Sequence, residues 1–392
     1  MTKVRIIGGG LTGILAAFEA HRLGATQIRL QDALDRLGGW SLPRTMQGLE
    51  LREGEFAFGS AHDPIRRSLE WQGVAFDEVD LYFGAVSPTS DGRRADWGEG
   101  PVLAARNPMG RSDGETLCDH LRAYPREAAE PLRRFCQWRL PLWLDQVHAS
   151  AAAALALDRA RLLGPGESPP PGFALRGAIP REGLSGLFAA SGRALARLGA
   201  QIELGVLVSP REAALDREPD EVIVWAADPT PLFDLAALPR PAAVAERVAS
   251  YVFRADIAAP RPLTVRNFTA EGPVTQVRVY ESRGETLVAL ECVDEANDAE
   301  LRREATRLLS PFAERPPELG ACLFANVRSR FACPTVEAVR GLARLKAELA
   351  QRHTGGFLVA GWESADATAR FAALSGEMQT ALAGAGPASA VA

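Results

Sequence analysis

The chain has 392 residues, enough for two domains or one large composite domain. Hydrophobic residues make up 47% and charged residues 24%, the balance of an ordinary soluble globular protein. A net charge of −5 argues against general affinity for nucleic acid, which needs clustered cations to meet phosphates.

In chain order, residues 3–7 predict a short buried strand, residues 11–23 an apolar helix and "QIRLQD" a second strand. A helix is predicted from Asp63 to Gln72, followed by short strand-like pieces over 75–110, where aromatics, Gly and Pro are frequent. Residues 114–163 read as helical, and "GPGESPPPG" (164–172) breaks the chain. Within the helical stretch, "DQVHASAAAALALDRARLL" reads as one packing helix, its charged ends unsuited to a span of about 20 lipid-facing residues. No transmembrane segment and no signal peptide are therefore expected. Further on, "REGLSGLFAASGRALARLGAQIELGVLV" predicts a helix then a strand, and "DEVIVWAADP" a nearly continuous apolar strand. "VTQVRVYES" and "ETLVALECV" alternate around Arg-Gly like an antiparallel hairpin, and a charged helix, "DAELRREATRLLSPF", follows. "GGFLVAGW" is a strand, "ARFAALSGEMQTALAGA" a helix, and the closing "GPASAVA" is expected to fray. Apolar strands between helices suggest one covered sheet assembled from the N-terminus, a middle segment and the C-terminus. The five cysteines (Cys118, Cys136, Cys292, Cys322, Cys333) lack CxxC spacing, which suits reduced thiols in a cytoplasmic protein. No spacing suggests a metal site.

Gly8-Gly9-Gly10-Leu11-Thr12-Gly13 satisfies G-x-G-x-x-G between a strand and a helix, the context that gives this spacing its meaning. Gly8 permits the tight turn, Gly10 lets a pyrophosphate approach the backbone, and Gly13 lets helix and strand pack closely. The helix start supplies N–H donors and partial positive charge. Asp32 falls where a carboxylate binds ribose hydroxyls.

Asp32-Ala33-Leu34-Asp35-Arg36-Leu37-Gly38-Gly39 then resembles the flavin-dependent family of amine oxidases, protoporphyrinogen oxidases and phytoene desaturases. The resemblance implies FAD, with Arg36 meeting the pyrophosphate and Gly38 and Gly39 letting the chain pass close to it. It implies a Rossmann-like FAD-binding domain of the glutathione-reductase type, built from segments 1–75, 178–240 and 335–392. An inserted α+β substrate domain would comprise 76–177 and 241–334. By the same likeness Val208 lies against the adenine, and Gly361, Trp362 and Glu363 near the ribityl and phosphate chain. Phe371, Ala372 and Ala373 open a helix facing the flavin, and Glu55, Phe56 and Ala57 line its edge. Trp40 stands where the family often carries Arg, and Trp362 where it commonly carries an acid. The lysine that many of its amine oxidases use near the flavin has few candidates, since only Lys3 and Lys346 occur.

The resemblance implies hydride transfer from a C–N or C–C bond of a small organic substrate. A sugar-nucleotide mutase-like isomerase and a non-catalytic flavoprotein stay open beside it. Candidate catalytic residues are His62 and Asp63 for proton transfer, and Arg328 and Arg330 for an anionic substrate. Asp63-Pro64 also reads as a plain helix start. No substrate, electron acceptor or oligomeric state is legible.

Overall fold

The computed structural model describes residues 2–53, 57–89, 92–105, 114–163, 174–241, 245–331, 334–353, 356–362 and 367–385. Two sheets organise them. The first starts at Lys3–Ile7 (β1), which is buried on both faces: Val4 and Ile6 enter one core, Ile7 the other. That is the demand a parallel strand makes when helices cover both sides. The chain passes through the glycines into helix Leu11–Arg22 (α1) and returns as Gln27–Asp32 (β2), parallel to β1 with Gln31 opposite Ile7. Gln201–Leu204, Glu221–Trp225 and Phe357–Val359 complete a five-stranded parallel sheet in the order 201–204, β2, β1, 221–225, 357–359. The N-terminal, middle and C-terminal segments thus meet in one sheet, as predicted. α1, Gly183–Arg197 and Ala367–Ala385 cover one face; Pro210–Leu215, Thr230–Leu235 and Val336–Arg352 cover the other.

The second sheet has nine strands and is mixed. From one edge it runs 318–331, 245–256, 285–292, 274–282, 263–267, 76–89, 174–180, 58–59, with Gly92–Trp97 also paired to 76–89. Leu263–Asn267 lies parallel to Phe76–Thr89, and the other described pairs are antiparallel. The predicted hairpin is Val274–Ser282 with Glu285–Cys292, turned by Arg283 (φ 49°) and Gly284 (φ 80°). Two successive positive φ values suit the right-handed twist of the flanking strands. Helix Asp298–Leu309 packs on this sheet.

Two stretches differ from expectation. The run over 75–110 contains a fourteen-residue strand, Phe76–Thr89, rather than short pieces. Its Gly84 is no interruption, because a Cβ there would stand 2.6 Å from the Phe312 ring. The stretch 114–163 is not continuously helical: Leu117–Arg122 and Arg126–Arg139 are helices, but within 145–163 only Ala151–Ala154 forms an α-helix. Ala156 takes a left-handed φ of 56°, and Arg161–Leu163 pairs in parallel with Val102–Ala104. Ala151, Ala152 and Leu157 enter one core with Leu117, Leu121 and Leu132, so tertiary burial overrides the helix preference of alanine. The predicted breaker at 164–172 and the tail at 386–392 lie outside the described residues. Among the described residues no helix is long and apolar enough to cross a membrane.

Candidate functional site

A cavity of about 1250 Å³ opens where β1, β2, Glu221–Trp225 and Phe357–Val359 end, and reaches across to the mixed sheet. Ligands of open α/β sheets gather outside the carboxyl ends of the strands, at the point where strand order reverses. Here that point falls between β1 and Glu221–Trp225.

Local backbone chemistry builds the first wall. Gly8 has φ 110°, and a Cβ on it would lie 2.8 Å from the backbone of Ala226. At Gly13 a Cβ would stand 1.8 Å from the Gly8 carbonyl oxygen, so only glycine lets α1 settle against β1. The Asp32 carboxylate is held from two sides, accepting from the Gly9 N–H and, at 2.7 Å, from the Leu34 N–H. The second glycine pair is stitched to the first: Gly38 N–H donates to the Gly9 carbonyl at 2.9 Å, and Gly10 and Gly38 form a parallel bridge. Gly38 has φ 125° and Gly39 φ 53°. Gly361 (φ 94°) closes over Thr12 from the end of Phe357–Val359.

The opposite wall is built by residues that the sequence reading passed over. Arg44 lines the cavity, its guanidinium 5.9 Å from the centre of the Phe324 ring. Arg52 pairs with Glu50 at 2.7 Å and stacks 5.2 Å from the Tyr280 ring centre. Glu50 also accepts from the Ser185 N–H at 2.8 Å and the Leu184 N–H at 3.2 Å, at the start of helix Gly183–Arg197. Burial alone would raise the Glu50 carboxyl, but Arg52 and these two amides outweigh it and hold it below the ordinary value. Burial pushes the Tyr280 hydroxyl up to about 12, so at neutral pH it is a protonated partner for Arg52 N–H and the Glu50 carbonyl. Glu53 and Asn326 also line this wall, with Asn326 Nδ2 donating to Glu53 Oε2 at 3.3 Å.

Of the residues read from the sequence, Gly8, Gly10, Leu11, Thr12, Asp32, Arg36, Gly38, Gly39, Trp40, Gly361, Trp362 and Phe371 line this cavity. Gly13 lies beneath it as a packing residue. Ala33 is exposed outside the lining, and Val208 is buried in the core with Ile7 and Trp225. Ala57 faces a separate minor cleft with Tyr82 and Arg278. Phe371, Ala372 and Ala373 do not open their helix, which already runs from Ala367; Ala372 and Ala373 are exposed, while Ala367 and Arg370 line the cavity. His62 stands half-buried, edge-on to Phe58 at 6.2 Å, and Asp63 pairs with Arg66 at 3.3 Å in the first turn of its helix. Neither is in the cavity lining. Glu55, Phe56 and Glu363 lie outside the described residues. So do the side chains of Arg328 and Arg330, whose backbones pair with Val248 and Glu246. Residues that sequence reasoning missed are Arg44, Arg52, Glu53, Asn326 and Arg370. The signal for Arg52 and Glu53 lay in "GLELREGEFAFG", three and two residues before Glu55.

Gly10 tests what the first wall suits. Its φ is −70°, open to any residue, and a Cβ on it would meet nothing within 4 Å. Neither backbone strain nor packing explains glycine there. A ligand passing close to the backbone does, and α1 offers it first-turn amides with no side-chain cap and no acidic residue in that turn. The residues present therefore fit a dinucleotide phosphate.

Fold and cavity together define a Rossmann-like α/β protein carrying a second, mixed-sheet unit. A family model described as an NAD(P)-binding Rossmann-like domain matches residues 6–69. No curated protein matches the chain. Among solved structures, a reduced UDP-galactopyranose mutase is 12% identical, covers 98% of this chain and 98% of its own, and has a TM-score of 0.68. Cyclohexylamine oxidase from Brevibacterium oxydans IH-35A is 14% identical, covers 98% of each chain and has a TM-score of 0.59. A fatty acid isomerase from P. acnes is 14% identical, covers 97% of this chain and 98% of its own, and has a TM-score of 0.58. The chain shares its fold with these three proteins along nearly its whole length.

Proposed function

We propose that the protein is an FAD-dependent oxidoreductase that removes a hydride from a C–N or C–C bond of a small organic substrate. The observation that carries this reading is the unexplained openness at Gly10, in one cavity with Asp32 and the stitched Gly38–Gly39 pair. A nicotinamide-only site has no evident need of that second pair. When bound, FAD supplies a hydride acceptor. Segments 1–75, 178–240 and 335–392 hold it, and 76–177 and 241–334 form the substrate side. Asp32, already oriented by two amides, accepts from ribose hydroxyls, while the α1 N-terminus and Arg36 receive the pyrophosphate charge. Ile65, Leu184, Phe371 and Leu374 give the cavity an apolar flank that excludes water. Position and electrostatics are then the protein's contribution to the reaction. The test is the visible spectrum of the purified chain after incubation with FAD and removal of excess. Retained flavin bands that bleach anaerobically with an amine or alkane-type donor support the reading, and absence of any retained flavin sinks it.

A second reading has one observation in its favour, the higher TM-score of the reduced mutase. On that reading the chain is an isomerase with no net oxidation. Turnover only after chemical reduction of the bound flavin, with product isomeric to substrate, selects it over the first.

A further inference from the structure

Three stretches distant in sequence touch one another around the phosphate wall. A Cβ on Gly8 would lie 2.8 Å from the Ala226 carbonyl carbon and from the Ala227 nitrogen. The glycine turn therefore rests directly on the backbone that follows Glu221–Trp225. A Cβ on Gly361 would lie 3.2 Å from Thr12 Cγ2, so the backbone that follows Phe357–Val359 rests on the first turn of α1. The third contact is a hydrogen bond: Trp362 Nε1 donates to the Ala227 carbonyl at 3.0 Å. Gly8, Ala227, Trp362 and Thr12 close a ring of contacts, and all four line the cavity.

Strand pairing ends just before this ring. Ala226 N–H donates to the Ile7 carbonyl at 2.8 Å, and Ala360 N–H to the Trp225 carbonyl at 2.9 Å. Beyond those bonds two indoles hold segment 226–228. Trp225 Nε1 donates to the Asp228 carbonyl at 2.8 Å, three residues along its own segment. Trp362 reaches the same segment from 135 residues further along the chain. The two rings differ in setting. Trp225 is 3% exposed, in the core with Ile7 and Val359. Trp362 is half-buried, packed on that core and also bordering the cavity.

We propose that Trp362 is a positioning residue for the cofactor's phosphates: its indole N–H holds segment 226–228 where the Gly8 turn meets it, and so sets the phosphate wall. This rests on the FAD reading of the same cavity. The two glycine contacts are close approaches without directional preference, whereas a hydrogen bond weakens steeply as it bends. Of the contacts in the ring, the indole bond is the one that fixes the C-terminal segment against the middle one past the end of the paired strands.

The experiment titrates the full chain with FAD, ADP and adenosine by calorimetry, for the wild type and Trp362→Phe. Adenosine lacks the phosphates, so it separates the phosphate wall from the rest of the site. Expected is about fivefold weaker binding of FAD and ADP, the scale of one intramolecular hydrogen bond, with adenosine unchanged. Replacement of Trp362 by 3-benzothienylalanine, which keeps the ring's shape and lacks only its N–H, should give the same loss without a change of volume. Hydrogen exchange on the ligand-free chains should show residues 8–13 and 226–230 exchanging faster together in both variants. The proposal is overturned if the benzothienyl variant binds FAD and ADP like the wild type. It is also overturned if adenosine weakens as much as ADP, which marks a general structural role, or if exchange over 8–13 does not change. A wild-type chain that binds ADP but not FAD fails the flavin reading and leaves the ADP comparison to decide Trp362. One that binds neither overturns both.

Discussion

At the residue scale, Gly10 and Gly13 stand three positions apart and answer to different demands. Gly13→Ala drives a Cβ to 1.8 Å from the Gly8 carbonyl oxygen, and backbone cannot yield as a side chain end does. The expected cost is at least about 3 kcal/mol, read as a lower thermal or urea midpoint. Gly10→Ala meets nothing and needs no unusual φ, so stability should stay within about 1 kcal/mol of wild type. FAD affinity should nevertheless fall at least about tenfold, because the methyl group occupies the phosphate approach. Equal FAD affinity in Gly10→Ala would remove the main support for the cofactor reading. Glu50 offers a second contrast. Glu50→Gln leaves Arg52 in a site where the pair is only 10% and 13% exposed, and should cost about 3 kcal/mol at neutral pH. Because the folded-state carboxyl is held below its ordinary value, its contribution is complete above about pH 4.3 and fades as pH drops through the lowered value. Urea unfolding of both proteins should show a constant gap from neutral pH to about 5 that narrows in stronger acid.

Elements differ in how local their causes are. β1, α1 and β2 were legible because glycine spacing, apolar periodicity and the acid at Asp32 all act within a few residues. The hairpin at Arg283–Gly284 was legible for the same reason. Arg161–Leu163 was not, since its partner Val102–Ala104 lies far away in sequence and the alanines before it favour a helix in isolation. The site divides along the same line. Its phosphate wall is written in consecutive residues, whereas Arg44, Glu53 and Asn326 meet only once two strands from distant parts of the chain are in place. A locally determined element permits a clean test of separability. Asn297 caps helix Asp298–Leu309 by accepting from the Glu300 N–H at 2.9 Å, on the part of the mixed sheet remote from the glycine loop. Asn297→Ala should lower stability by about 1 kcal/mol in urea unfolding. FAD titration of the variant should match the wild type, and a concurrent loss of affinity would mean that this helix is coupled to the cavity.

Across the whole molecule, the cavity is where the two sheets depend on each other. One core joins the inner face of the parallel sheet, including Val4 and Val224, to Val252, Tyr280 and Leu287 of the mixed sheet. The hairpin strand Leu49–Leu51 carries Glu50 and leads into Arg52 and Glu53, so a segment that follows the glycine loop in sequence builds the opposite wall. A ligand filling this space touches both units, and its binding energy is shared between them rather than confined to the Rossmann-like half. At a free FAD concentration one hundred times Kd, native-state stability should rise by about 2.7 kcal/mol. Hydrogen exchange locates that gain. Amides of β1 and β2 and amides of Val274–Cys292 should slow together on FAD addition, in proportion to ligand concentration. If only the parallel sheet is protected while 274–292 exchanges as before, the two units open independently and the shared core does not couple them. Protection of both means that the mixed sheet senses the cofactor through the cavity, and that substrate bound on its wall shifts FAD affinity by the same factor as FAD shifts affinity for substrate.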